Sequence, residues 1–443
     1  MADLLRIAGP DLTPAEALLR LGDEAAVAML HACGLGWTHL AWGLRPARFQ
    51  AWSELNAPRR DGPEAKSSGI IQENALDRES AQNFPTAALR NIPSAWGRFD
   101  GGYFIQADYE FPAVPGRSWP VTEWMSWDER GRCRLCAQDE QGLERLRQTM
   151  ARPAVRMARP VLATPLTPAW DGARHAEQVE RIRALIAAGD IYQANLSLPF
   201  TASIKDDGNG DIALFLALAH HSPAPYAAFF RCSDVPGARQ SIISHSPECF
   251  LRCRGNQVVS EPIKGTARRQ AGQETATRQA LLHSAKDRAE LAMIVDLVRN
   301  DLGRVAAPGS VSVRESAVVL DLPYVHHLVA QIAARLRPDR SVSEVLAAAF
   351  PAGSITGAPK IRAMQIIQDL EGAARGPYCG TFGWLGHDGA SEWAVAIRTL
   401  VLADGEVRLH AGSGIVADSV GAAEWDEVRA KASAMAAVLG CEI

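Results

Sequence analysis

From residue 170 onward the apolar residues keep two spacings in turn, and the order of those spacings is what most restricts the fold. Val179, Ile182, Leu185 and Ile186 recur at the helical interval over 175–188, and Gly189 follows as a stop signal. Directly afterwards IYQANLSLPF (191–200) alternates, with Tyr192, Ala194, Leu196, Leu198 and Phe200 on one side and Gln193, Asn195 and Ser197 on the other. An amide-rich strand face suits the wall of a polar cavity, or equally a solvated outer surface. Residues 241–266 read as a hairpin, SIISHSPECFL and QVVSEPIKGT around the turn signal RGN. Helical spacing returns over 272–305 and 357–374, the latter opened by Pro359. Strands fit 378–386, 391–403 and 406–412, and a last helix over 421–439 stops at Gly440. Such mixing without strict strand–helix alternation predicts an α+β fold with large antiparallel sheets.

The first 165 residues have another texture. Eight of the eleven tryptophans fall at or before Trp170, and short apolar runs are broken by polar ones. The stretch 55–93 has turn formers and mixed charge with little periodicity, as in a long surface loop. Four prolines in 152–169 mark an extended connector. Two regions are therefore expected, 1–165 and 170–440.

Composition narrows the function. Lys and Arg number 46 against 50 Asp and Glu, a net charge of −4, without the basic concentration that nucleic-acid binding demands. No apolar run reaches the roughly 18 residues that cross a bilayer. The start, MADLLRIAGPDLTP, lacks the basic and apolar segments of a secretion signal, and eight cysteines are too sparse for a disulfide scaffold. A cytoplasmic location is the expectation.

Several motifs have ordinary explanations. Cys133 and Cys136, and Cys249 and Cys253, do not form a convincing zinc set. His175-Ala176-Glu177 reads as helix surface, because no cysteine elbow accompanies it. The glycines of AGSGIVADS (411–419) open no dinucleotide fold but can offer backbone N–H groups to an anion. More specific are the carboxylates. Glu290 edges an apolar helix face, and Glu424, Glu427 and Lys431 share one side of another helix. Carboxylates from two helices suit a hard divalent ion, although the spacing also fits a solvated face with an ion pair. Lys264 in PIKGT is an odd occupant of a strand end: burial would make it a nucleophile, while snorkelling to solvent is the plainer alternative. A three-residue loop, Gly255-Asn256-Gln257, would set Glu248 opposite Lys264; a two-residue loop would set Ile263 there instead.

Taken together, IYQANL, SPECFL, PIKGT, KDRAELAMIVDLVRNDLGRV, YVHHLVA, AGSITGAPKIRAM, GPYCGTFGW, AIRTL, AGSGIVADS and EWDEVRAKA closely resemble the chorismate-utilising enzymes. The resemblance covers 175–435 and is weak in the N-terminal part. It implies two antiparallel sheets packed face to face as a sandwich with helices outside, the first 165 residues being a variable region that contributes to it. Lys264 in PIKGT resembles the branch that forms 4-amino-4-deoxychorismate, whereas anthranilate synthase large subunits carry alanine there. Anthranilate formation and a non-catalytic chorismate- or tryptophan-binding regulator are the alternatives.

The same resemblance implies the chemistry. Lys264 is expected to attack C2 of chorismate while Glu248 protonates the departing 4-hydroxyl. Mg²⁺ is expected on Glu290 and Glu427, with Glu424 nearby. Tyr378, Arg398, Lys431 and the backbone of Gly412, Ser413 and Gly414 are expected to hold the substrate's carboxylates and enolpyruvyl group, with His327 and Ser354 at further pocket positions. Ammonia is expected from a separate glutamine amidotransferase subunit in a heterodimer. Pro225-Tyr226 fits part of the tryptophan pocket of related chains, but Leu30-His31-Ala32-Cys33 lacks its serine, which counts against tryptophan binding.

Overall fold

Two antiparallel sheets carry the fold, one of thirteen strands and one of ten among the described residues, packed face to face with helices on the outer sides. The computed structural model describes residues 5–443 apart from 22–23, 25, 32–36, 45–46, 56–97, 156–157, 206–209, 236–237, 271 and 323–324. Most of the expected 55–93 loop, and Ala32 and Cys33, thus lie outside the described residues.

Three apolar layers follow from the alternation. Leu196, Leu198 and Phe200 of the strand Gln193–Lys205 pack with helix residues such as Val179, Ile182 and Val428 behind the larger sheet. Leu328, Ala330 and Ile332 of Val325–Arg335 do the same with Leu291 and Ile294 behind the smaller one. Between the sheets, Trp119 stacks on Phe230 at 5.1 Å, and Phe230 meets Phe382 at 6.1 Å. Strands from the first region are hydrogen-bonded into both sheets: Val27–His31 pairs with Tyr226–Val235, and Gly102–Ala107 with Thr381–Gly386.

The expected hairpin is not one ribbon. The strand Ala238–Ser246 belongs to the larger sheet and Cys249–Arg254 to the smaller, so the chain changes sheets at Pro247-Glu248. The turn holds two residues, Gly255 and Asn256, with Arg254 paired to Gln257. Gly255 supplies the positive φ (54°) that such a tight turn requires. A register shift between Cys249 and Arg252 follows, and Gln257–Glu261 and Ile263–Arg268 both pair with Val325–Arg335. Glu248 is therefore not the cross-strand partner of Lys264, contrary to the three-residue-loop expectation.

The other stretches divide similarly. The run 391–403 becomes Ser391–Val395 in the smaller sheet and Thr399–Ala403 in the larger, with Arg398 at the crossing. The run 272–305 breaks at Ser284, whose side chain accepts from the Asp287 amide and caps the helix Ala285–Gly303. Tyr192 precedes its strand and is 69% exposed, so it does not join the apolar face. His175 is fully buried against Trp425 at 5.4 Å, correcting the helix-surface reading.

Candidate active site

Beyond its aromatic filling the space between the sheets turns polar. Gln193, Asn195 and Ser197 face inward and are buried; Asn195 pairs across the ladder with Gly414 and Ser197 with Gly412. Directly paired residues share a face, so Gly412 and Gly414 also point inward. Ser413 pairs with Leu196 and turns its side chain toward the helices, which leaves only its backbone to serve a ligand. Both glycines are required by close approach. A Cβ on Gly412 would lie 2.5 Å from the Leu196 carbonyl oxygen; one on Gly414 would lie 2.6 Å from Gln193 Nε2 and 3.3 Å from Lys264 Nζ.

Lys264 is aimed by its own strand. The register slips between Lys264 and Thr266, and Gly265 sits at the slip with φ 76°, packed against Asp287. This bulge re-aims the residue before it. Lys264 is half-buried, and loss of water holds its amine below the ordinary lysine range. Glu290, Glu248 and Glu427 act on it in the opposite sense and Lys431 in the same sense.

Glu248 stands where the chain passes between sheets. Its carboxylate accepts a 2.5 Å bond from Ser354 Oγ and another from the Ile263 amide, next to Lys264. Burial dominates and pushes this carboxyl up to about 7, with Ser354, Lys264 and Ile263 opposing. A buried acid that keeps its proton near neutrality lies within electrostatic reach of an amine whose charged form burial disfavours. That is the pairing needed to attack carbon and protonate a leaving hydroxyl together.

Arg398 adopts φ 52°, a costly conformation for a residue with a side chain, and is buried enough to be held at about 10. Its guanidinium donates to His327 Nε2 at 3.1 Å, while His327 Nδ1 meets Thr266 Oγ1 at 2.8 Å. An accepting Nε2 places the imidazole proton on Nδ1, so His327 donates to Thr266. Burial, with Arg398 adding to it, holds this histidine at about 3 and therefore neutral. Tyr378 stacks on His410 at 5.1 Å, beside the face that carries Gly412 and Gly414.

The carboxylates come from two helices, Ala285–Gly303 and Gly421–Ala436. Burial raises the Glu290 carboxyl, against the pull of Lys264 and Lys286. Burial also raises Glu427, but Lys431, 2.6 Å away, overrides it and leaves that carboxyl below its usual range. Lys431 also donates to the Gly412 carbonyl at 2.9 Å. The ion pair expected from the spacing is thus present, and it ties the helix to the glycine strand. Glu424 is buried with Oε2 lacking a hydrogen-bond partner. Among the described residues no three His, Cys, Asp or Glu groups already stand at metal-ligand spacing. Even so, the hard oxygen donors and the orphaned Glu424 oxygen suit a divalent ion of the Mg²⁺ type.

Sequence reasoning missed several contributors. Lys286 lies within electrostatic reach of Glu290, Glu424, Glu427 and Asp418 at once. Thr266 orients His327. Arg375 joins the Asn195 and Ile355 carbonyls and pairs with Glu371, bracing the loop that carries Ser354. Lys286 and Thr266 lay inside the KDRAEL and PIKGT motifs without an assigned role, and Gln193 was signalled by the amide face of its strand.

A sequence profile described as chorismate binding enzyme matches residues 71–437. The chain belongs to the chorismate binding enzyme family. Within it, aminodeoxychorismate synthase component 1 of Klebsiella aerogenes is 45% identical over 275 residues, 60% of this chain and 59% of that protein. Anthranilate synthase component 1 of Geobacillus stearothermophilus is 39% identical over 306 residues, 65% and 59% of the two chains. The chain spans less than two thirds of the length of these curated relatives in its match. Anthranilate synthase component I from Streptococcus pneumoniae superposes with a TM-score of 0.70 at 28% identity, covering 97% of this chain and 98% of that one. The menaquinone-specific isochorismate synthase of Escherichia coli has the same fold, with a TM-score of 0.75 at 18% identity over 99% and 94%.

Proposed function

We propose that this chain converts chorismate and ammonia to 4-amino-4-deoxychorismate through a covalent adduct on Lys264. The observation that carries the reading is that Lys264 and Glu248 act on one another electrostatically and burial biases each toward its uncharged form. The neutral amine attacks C2 of the ring, the double bonds shift, and the C4–oxygen bond breaks. Glu248 supplies the proton, so water leaves and Glu248 becomes a carboxylate. Ammonia then bonds to C4 and expels the Lys264 amine. The new ammonium group returns a proton to Glu248, and both residues regain their starting states.

Arg398 offers a guanidinium fork for a substrate carboxylate, with its orientation maintained by neutral His327. Lys431, Tyr378 and the backbone of Gly412–Gly414 complete the grip, while Ser354 serves the acid rather than the substrate. Glu290 and Glu427, with Glu424 nearby, would hold Mg²⁺, whose charge offsets a bound carboxylate. Support for a second component comes from the relatives named component 1; a glutamine amidotransferase subunit supplying ammonia in the cytoplasm fits this chemistry.

The 39% identity to an anthranilate synthase component favours that activity as the second reading. Incubation with chorismate, Mg²⁺ and ammonium separates the two. The proposed product keeps its enolpyruvyl group, whereas release of pyruvate with a fluorescent product would overturn the proposal. Chorismate left unconsumed by the folded chain would favour a non-catalytic regulator.

A further inference from the structure

Glu248 borders a second space besides the chamber of Lys264. A small cavity lies between the smaller sheet and the helix Ala285–Gly303, and Glu248, Ser354 and Ser260 line it together with Asp301. Val298 and Leu302 form part of an otherwise mostly apolar wall. It has room for about one water molecule. One end is closed by an ion pair: Lys360 Nζ donates to Asp301 Oδ2 at 2.6 Å and to the carbonyl of Ala349, another lining residue, at 2.7 Å. Lys360 and Asp301 are both nearly buried, with side-chain exposures of 12% and 9%.

Size and lining decide what fits. An apolar wall cannot solvate an ammonium or hydroxide ion, while hydroxyl and carboxyl groups offer the two to four polar partners that a buried water needs. The acceptable occupant is therefore neutral, has a single heavy atom and both donates and accepts hydrogen bonds. Water and ammonia share that description.

We propose that this cavity is a binding site for one molecule of water or ammonia, held between Glu248 and Asp301, through which the acid exchanges small molecules during turnover. The second half rests on the function proposed above. There, Glu248 creates a water as the C4–oxygen bond breaks, and the same carbon next receives ammonia. Water remaining at C4 would compete with ammonia for the adduct. A berth beside the carboxyl lets the released water clear that carbon, or lets ammonia wait beside it, without opening the chamber to bulk solvent.

Crystal structures of the wild-type chain and of Ala352→Val, which adds bulk to the wall, test the site directly. One ordered solvent molecule within hydrogen-bond distance of Glu248 or Asp301 is expected in the first and none in the second. Ser260→Ala, which removes a polar partner and leaves the space, serves if the valine variant does not fold; it is expected to weaken the solvent density. Single-turnover rates then distinguish the occupants. At least a ten-fold slower adduct formation without ammonium marks water leaving, and a ten-fold slower consumption of the adduct by ammonium marks ammonia arriving. A dry wild-type cavity overturns the proposal, as does a folded variant with both rates unchanged. A wild-type chain that forms no adduct overturns the functional reading instead, and the density alone then judges the site.

Discussion

Ser354 donates a 2.5 Å hydrogen bond to Glu248, and the two residues meet although 106 positions separate them. The bond favours the charged carboxylate, yet burial outweighs it and the group stays protonated up to about 7. Glu248→Gln removes the transferable proton while keeping the shape. It should slow adduct formation by roughly 10²–10⁴-fold, the usual worth of a positioned acid. Stopped-flow single turnover measures this, and a loss below ten-fold would remove Glu248 from the role of acid.

The same shift has a consequence for stability. A carboxyl whose folded pKa is raised favours the folded state below its unfolded value and loses that advantage as pH climbs through the folded value. For Glu248 the window runs from 4.5 to about 7. The burden above it is on the order of 3 kcal/mol. Glu248→Gln should therefore raise the melting temperature at pH 8 and change it little at pH 4. Equal effects at both pH values would mean that the carboxyl ionises freely in the folded chain.

Activity should follow a bell-shaped pH profile. Lys264 must lose its proton and Glu248 must keep its own, so the rate rises and then falls with pH, with a break near 7 set by Glu248. The Gln variant should lose the falling limb of adduct formation. A falling limb that persists there belongs to another group.

Gly414→Ala places a methyl carbon 3.3 Å from Lys264 Nζ and 2.6 Å from Gln193 Nε2. Both side-chain ends must shift. The expected result is a kcat at least ten-fold lower with a smaller change in KM for chorismate, since misplacing a reacting atom costs rate more than binding. An unchanged kcat would show that the amine has slack in its position.

Much of the fold was legible because burial is periodic. Leu196, Leu198 and Phe200 all lie against helices, as their alternation predicts. The sheet changes at Pro247-Glu248 and at Arg398 were not legible, because strand-like texture continues on both sides and alternation does not say which sheet a strand joins. The hairpin register depended on a single residue of loop length, which composition could not fix. Lys264 and Glu248 were identified through motif resemblance; their joint position arises from a glycine bulge and a chain crossing that have no pattern of their own. Lys286 and Arg375 each have a local partner, Glu290 and Glu371, four residues away, but their reach to Glu427 and to the Asn195 carbonyl crosses the fold and had no local signal.

Removing carboxylates should weaken the proposed Mg²⁺ binding in a graded way. Glu427→Gln is expected to raise the Mg²⁺ concentration for half-maximal activity at least ten-fold, with Glu290→Gln similar. Magnesium titration of turnover checks this, and an unchanged midpoint in both variants would move the ion elsewhere.

Intact-protein mass spectrometry, with chorismate and Mg²⁺ but no ammonium, tests the central claim most directly. The wild-type chain should gain the mass of chorismate less one water, peptide mapping should locate the gain on Lys264, and Lys264→Ala should lose it. Formation of 4-amino-4-deoxychorismate with no such adduct, or with the adduct on another residue, would contradict the account.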